Sequence, residues 1–244
     1  MSCIIELENI NFSAQGKQIV KDISLQFDKG KTVALIGPSG CGKSTILKLS
    51  AGIIIPNSGD VFYNGKNIFR LSQKENLSFR KESGFVFQDS ALWANQNLYQ
   101  ILELPLRLHF PGMSNKEIGQ RIEEVVSDVG YKKDLKMRPS QLSMGEQKML
   151  AFARAMMCRP KLLFLDEWTE SLDESASKRL IDIVKRLKSE EVTIILVTHK
   201  ASIIRDMADH AVIILNGEIS HLLAKEQIMA GEDIKKYISG DLAA

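Results

Sequence analysis

Short, nearly unbroken apolar runs alternate along this chain with stretches in which every third or fourth position is apolar. Thr32–Ile36, Leu162–Leu165 and Thr193–Val197 are runs of the first kind, as strands buried on both faces require. A helix from about Ser175 to Lys188 is predicted between the last two, and Ala211–Leu215 with Asn216-Gly217 predicts a final strand and turn. The first third of the chain has a different period. Residues 3–12 alternate in part, and Asp22–Phe27 alternates cleanly, with Ile23, Leu25 and Phe27 on one face. Asp28–Lys31 and Asn57–Asp60 are expected turns, the second leading into Val61-Phe62-Tyr63 and the hairpin signal Asn64-Gly65. The expectation is a small antiparallel sheet beside an α/β core.

The middle of the chain turns helical. Ser72–Glu75 and Ser114–Glu117 both fit a capping box, and Ile118, Ile122, Val125, Val126 and Val129 follow the second at helical spacing. Pro105, Pro111 and Gly112 are expected to punctuate the approach to that helix. Gly84–Phe87 is a short apolar strand ending at Gln88. The predicted organisation is one domain over 1–244, with a helical subdomain at about 89–158 and a helical, docked tail at about 225–244.

Composition narrows the class without changing it. The chain has 244 residues with a formal net charge of +2, a balance that argues against a dedicated nucleic-acid binder. Cys3, Cys41 and Cys158 form no metal-type spacing, and an odd count of cysteines points to reduced thiols and the cytoplasm. No apolar run reaches the ~18 residues that cross a bilayer, so action at a membrane would need another chain.

The chemistry is carried by Gly37-Pro38-Ser39-Gly40-Cys41-Gly42-Lys43-Ser44-Thr45, which fits G-x-x-x-x-G-K-[ST] between a buried strand and a helix. Backbone N–H groups of such a loop form an anion-binding nest, and the helix opening at Lys43 adds its positive end. Lys43 is expected on the β- and γ-phosphates of a nucleoside triphosphate, and the Ser44 hydroxyl on Mg²⁺. Asp166-Glu167 closes the run Leu162–Leu165 at the strand end, where open α/β sheets put their ligands. There Asp166 is expected to hold Mg²⁺, and Glu167 to orient the attacking water or take its proton.

These motifs stand in an order that resembles the nucleotide-binding subunit of an ATP-binding cassette (ABC) transporter along nearly the whole chain. Leu142-Ser143-Met144-Gly145-Glu146 lies where that family carries the signature Leu-Ser-Gly-Gly-Gln. The resemblance implies a P-loop NTPase fold, a mainly parallel core sheet with an antiparallel β subdomain and a helical insertion, and ATP hydrolysis coupled to transport. It assigns Gln88 to the coupling glutamine and a metal contact, Ser171-Leu172-Asp173 to the loop at the dimer interface, and His199 to the switch histidine. It further implies a head-to-tail homodimer in which Ser143 and Gly145 meet the ATP held by the opposite copy. Met144 and Glu146 depart from the signature, and Trp168 stands where the family has Pro. Gln15-Gly16 lacks the adenine-stacking aromatic, and Phe12 is the nearest ring.

The segment Asp89-Ser90-Ala91-Leu92-Trp93, with Leu104-Pro105-Leu106-Arg107, is similar to the ATPases of MCE-type lipid transporters, those that maintain lipid asymmetry. That likeness implies lipid cargo, a membrane permease, an MCE-type lipid-binding protein and a place on the cytoplasmic face of the inner membrane. Ala91, Leu92 and Trp93, apolar just after Gln88, read either as local packing or, for Leu92 and Trp93, as a groove that receives a short helix of the permease. The alternatives are a lipoprotein-release or small-solute system, a soluble ABC ATPase, and a module that binds ATP without turnover.

Overall fold

Period-2 and period-3.6 patterns become strands and helices almost where they fall. The computed structural model describes residues 2–230 and 234–239. The chain opens with β1 (Cys3–Ala14), β2 (Lys17–Asp28), β3 (Thr32–Ile36), α1 (Lys43–Ser50), β4 (Ser58–Tyr63), β5 (Lys66–Asn67) and α2 (Gln73–Glu82). Next come β6 (Ser83–Val86), α3 (Leu98–His109), α4 (Asn115–Val129), α5 (Met144–Met156), β7 (Leu162–Asp166) and α6 (Glu174–Ser189). It closes with β8 (Thr193–Val197), α7 (Ala201–Met207), β9 (His210–Leu215), β10 (Glu218–Ala224), α8 (Lys225–Met229) and α9 (Ile234–Ser239). Two units divide these elements, one of residues 1–76 with 191–244 and one of residues 77–190.

The first unit holds an antiparallel sheet in the order β2-β1-β4-β5 and the strand series β10-β9-β3-β8. On β2 the predicted face is the buried one: Ile23, Leu25 and Phe27 turn inward with Val20. β3 is parallel to both β8 and β9, and every residue of β3 and β8 is buried. Asn64 and Gly65 both take positive φ, as a two-residue hairpin turn demands, and join β4 to β5.

Two expectations need correction in this unit. Ser58, Gly59 and Asp60 belong to β4, because their backbone pairs with β1 at Asn11 and Glu8 on either side of a bulge. Asn216-Gly217 does not end the sheet. It turns into β10, which pairs antiparallel with β9 through an irregularity between Ile219 and His221. Of the expected tail, α8 buries Ile228 and α9 buries Ile234, while 231–233 and 240–244 lie outside the described residues.

The second unit pairs β6 with β7 in parallel and carries α3, α4, α5 and α6. The capping box at Ser114 is formed in full, its hydroxyl accepting from Glu117 N–H while the Glu117 carboxylate accepts from Ser114 N–H. Ile118, Ile122, Val125 and Val129 make the buried face of α4. Pro105 lies inside α3 instead of interrupting the approach to a helix. Proline removes one N–H donor, and the Asn97–Gln100 capping box with the buried Leu98, Ile101, Leu102 and Leu106 holds the helix around it. Among the described residues, no helix is long and apolar enough to cross a membrane.

Candidate functional site

Each unit presents part of the expected chemistry at the C-terminal ends of two adjacent parallel strands. In the first unit the register pairs Leu35 with Val197. The phosphate loop after β3 and His199 after β8 therefore leave one sheet side by side. In the second unit Val86 pairs with Leu165, which sets Gln88 beside Glu167. Strand ends of this kind are where open α/β sheets bind ligands.

The phosphate loop is built by backbone demands. Gly42, the N-cap of α1, sits at φ 104°, and a Cβ there would lie 2.9 Å from the Ile19 carbonyl. Only glycine meets both conditions without displacement. Lys43 is buried, and its ammonium donates to the carbonyls of Gly37 at 2.9 Å and Pro38 at 2.7 Å. Those bonds fold the side chain back over its own loop. Cys41 is also buried, and desolvation raises its thiol pKa despite the nearby Lys43 ammonium. Ser39 and Gly40 are exposed at the loop tip, and Ser44 and Thr45 are half-buried in the first turn of α1.

The carboxylates at the end of β7 sit in a closed environment. Asp166 and Glu167 are both buried, Glu167 only 4% exposed, and Glu167 takes a left-handed φ of 46°. Such a conformation costs a non-glycine residue about 1–3 kcal/mol and persists only where its surroundings hold it. Trp168 is fully buried directly after it, and its indole N–H has no hydrogen-bond partner among the described residues. Its bulk fixes the chain just beyond Glu167. Asp173 is exposed and caps α6, its carboxylate accepting from Ala176 N–H at 2.7 Å. Gln88 and His199 are both exposed, in the bends that follow β6 and β8.

The signature segment is the start of α5. Ser143 is the N-cap: its hydroxyl accepts from Glu146 N–H, and the Glu146 carboxylate accepts from Ser143 N–H at 2.9 Å. Glutamate therefore serves the helix start as glutamine would. Its extra charge is matched by Lys133, 2.6 Å away, whose ammonium lowers the Glu146 pKa. A Cβ at Gly145 would lie 2.7 Å from the Ser171 carbonyl, whereas Met144 is 72% exposed. The glycine is kept where the chain crowds itself and lost where the side chain faces outward. Phe12 is half-buried on β1, opposite Val20.

Lys148 and Arg154 on α5 were not legible as site residues. Both reach the loop around Gln88, Lys148 from a buried position. The available signal was spacing, since Lys148 falls three and four residues before the buried Ala151 and Phe152 and so shares their face.

A phosphate loop, a strand-end carboxylate pair and a capped signature helix on a P-loop NTPase fold define an ATP-binding cassette. A sequence model of the ABC transporter family matches residues 20–170. The chain belongs to the ABC transporter family, as an ATP-binding and ATP-hydrolysing subunit. It is 31% identical over 98% of its length, and 91% of the relative's, to the intermembrane phospholipid transport system ATP-binding protein MlaF of Haemophilus influenzae. It is also 31% identical to the methionine import ATP-binding protein MetN of Campylobacter jejuni, over 88% of this chain and 69% of the relative. Among solved structures it matches the dimeric ATP-binding cassette MJ0796 in a post-hydrolysis state bound to ADP and Pi. That match has TM-score 0.84 and 26% identity, over 91% of this chain and 99% of the other.

Proposed function

We propose that this subunit powers phospholipid transport through a partner permease, acting as a homodimer on the cytoplasmic face of the membrane. The observation that carries the lipid reading is the near end-to-end match to MlaF, a phospholipid transport ATP-binding protein. The segment from Gln88 to Trp93 supports it, since Trp93 is 45% exposed where a core residue would be covered. Its ring is offered as the anchor for a permease helix, and an MCE-type lipid-binding protein completes the proposed assembly. Methionine import is the second reading, favoured by several MetN relatives at 30–33% identity.

In the proposed reaction the loop Gly37–Thr45 cradles the phosphates of ATP through its N–H groups, and Lys43 exchanges its loop carbonyls for β- and γ-phosphate oxygens. Ser44, Gln88 and Asp166 supply hydroxyl, amide and carboxylate oxygens, the hard donors that Mg²⁺ takes beside phosphate and water. When bound, that ion neutralises charge on the phosphates. Glu167 orients a water and takes its proton as the water oxygen attacks the γ-phosphorus and the bond to ADP breaks. His199 contacts the γ-phosphate from the neighbouring strand end. Ser143 and Gly145 bind the γ-phosphate held by the second copy, using free N–H groups and the positive end of α5. Asp173 lies on the loop between the copies.

The test is purification of the tagged assembly from membranes, identification of its partners and bound lipids by mass spectrometry, and an ATPase assay with added phospholipid or methionine. Co-purified phospholipid and stimulation by phospholipid are expected. Stimulation by methionine alone, with a methionine-binding partner, would replace the lipid reading with amino-acid import.

A further inference from the structure

The loop that presents Gln88 is bent and charged in a way its motif does not require. After Gln88 and Asp89, both Ser90 and Ala91 take positive φ, 64° and 45°, although neither is glycine. The Ser90 N–H closes the bend on the Phe87 carbonyl at 3.1 Å. Two consecutive residues in this conformation need an external hold. α5 provides it with two cations.

The Lys148 ammonium donates to the carbonyls of Phe87, at 3.1 Å, and of Gln88. The Arg154 guanidinium donates to the carbonyls of Ala91, at 2.6 Å, and Ser90, at 3.3 Å, and lies 5.6 Å from the centre of the Trp93 ring. Four of the five carbonyls from Phe87 to Ala91 thus accept from charged donors on the helix that begins with the signature.

Lys148 is the more telling of the two because it is only 2% exposed. A buried ammonium is costly unless hydrogen-bonded and matched by opposite charge. Burial pushes its pKa down, and Glu170, Asp166, Asp89 and Glu167 oppose that shift. This buried cation is therefore held by the backbone of the Gln88 loop. A lysine needed only to fill this face of α5 would be replaceable by an apolar residue of its length.

We propose that Lys148, assisted by Arg154, is a positioning residue for ATP hydrolysis, locking the Gln88 loop to the signature helix so that Gln88 keeps its place relative to α5. The proposal rests on the roles given above to Gln88 and Glu167. Lys148 touches no phosphate in this scheme. Its effect belongs in kcat, leaving the affinity of the phosphate loop for ATP alone.

The experiment compares Lys148→Met, which keeps length and removes donors and charge, with Lys148→Arg, which keeps both. ATP affinity is measured on the isolated subunit, and kcat and KM on the assembled transporter, with Glu167→Gln and Gln88→Ala run alongside. Lys148→Met is expected to bind ATP within about twofold of the native subunit while kcat falls about tenfold or more. Lys148→Arg is expected to recover at least about a third of native kcat. If Lys148→Met does not fold, Lys148→Gln, which keeps a donor without charge, takes its place with the same expectation. The proposal is overturned by native kcat in the uncharged variant, by parallel loss of ATP affinity and rate, or by failure of arginine to rescue. Native turnover in both Glu167→Gln and Gln88→Ala would instead sink the underlying assignment, whatever Lys148 does.

Discussion

The phosphate loop and the signature segment are both glycine-containing starts of helices, yet one matches its pattern fully and the other departs at two of five positions. In the loop, Gly42 is pressed against the Ile19 carbonyl and held at positive φ. In the signature, Gly145 is pressed against the Ser171 carbonyl, while Met144, one residue earlier, projects outward. Where a Cβ would meet the chain's own backbone, glycine is kept. Where the side chain projects into solvent, as Met144 does, the residue departs from the signature. The Glu146 departure is neutral in the fold for a different reason, since its carboxylate caps α5 and pairs with Lys133.

The largest effect expected from breaking this arrangement is at neither glycine. Glu167→Gln keeps size and hydrogen bonding but removes the base, and steady-state turnover is expected to fall about 10²-fold or more while ATP still binds. Native turnover in the assembled transporter would remove Glu167 from the role. Lys43→Ala deletes a buried charge on the loop side. It is expected to weaken ATP binding about 10- to 100-fold, on the scale of a charged hydrogen-bond donor. Calorimetry on the isolated subunit checks this, and unchanged affinity contradicts it.

The comparison itself is sharpened by Gly145→Ala against Met144→Gly. Alanine at 145 forces the Ser171 loop away and is expected to lower turnover about tenfold and the melting temperature measurably. Glycine at 144 leaves ATP affinity of the isolated subunit unchanged and shifts turnover by no more than about threefold. Equal damage from the two substitutions would refute the distinction between inward and outward positions.

The smallest effect concerns Lys133. Its ammonium lowers the Glu146 pKa, so the pair is fully formed above the ordinary carboxylate range and is lost as pH falls through the lowered value. At neutral pH, Lys133→Met leaves a bare carboxylate at the start of α5. The ATP concentration for half-maximal turnover is expected to rise about two- to fivefold, the scale of an exposed pair. Glu146→Gln in the same chain is expected to cancel the rise, and an unchanged rise in the double variant would count against charge compensation.

Most of the fold was legible because its elements follow one period each. The inward face of β2, the buried runs of β3, β7 and β8, and the capping boxes before α2 and α4 are local signals that the packing obeys. The misreadings share a cause, which is that tertiary pairing outweighs local preference. β10 has mixed polarity and only Leu223 fully buried, so its alternation is weak, and β9 alone makes it a strand. Pro105 looked like punctuation because the cost of one lost N–H is visible in sequence and the burial of three leucines and one isoleucine on α3 is not. Lys148 was missed because a lysine on a helix ordinarily marks the solvent face. Its partners are carbonyls about 60 residues away in sequence.

We propose that a second copy holding ATP completes the outward-facing signature. Sedimentation of Glu167→Gln, with and without ATP and Mg²⁺, tests it most directly. Monomer is expected without nucleotide and dimer with it, the dimer lost when Ser143→Tyr fills the facing surface while ATP affinity of the monomer is retained. A subunit that binds ATP and stays monomeric at all accessible concentrations, alone and with its permease removed, would contradict it.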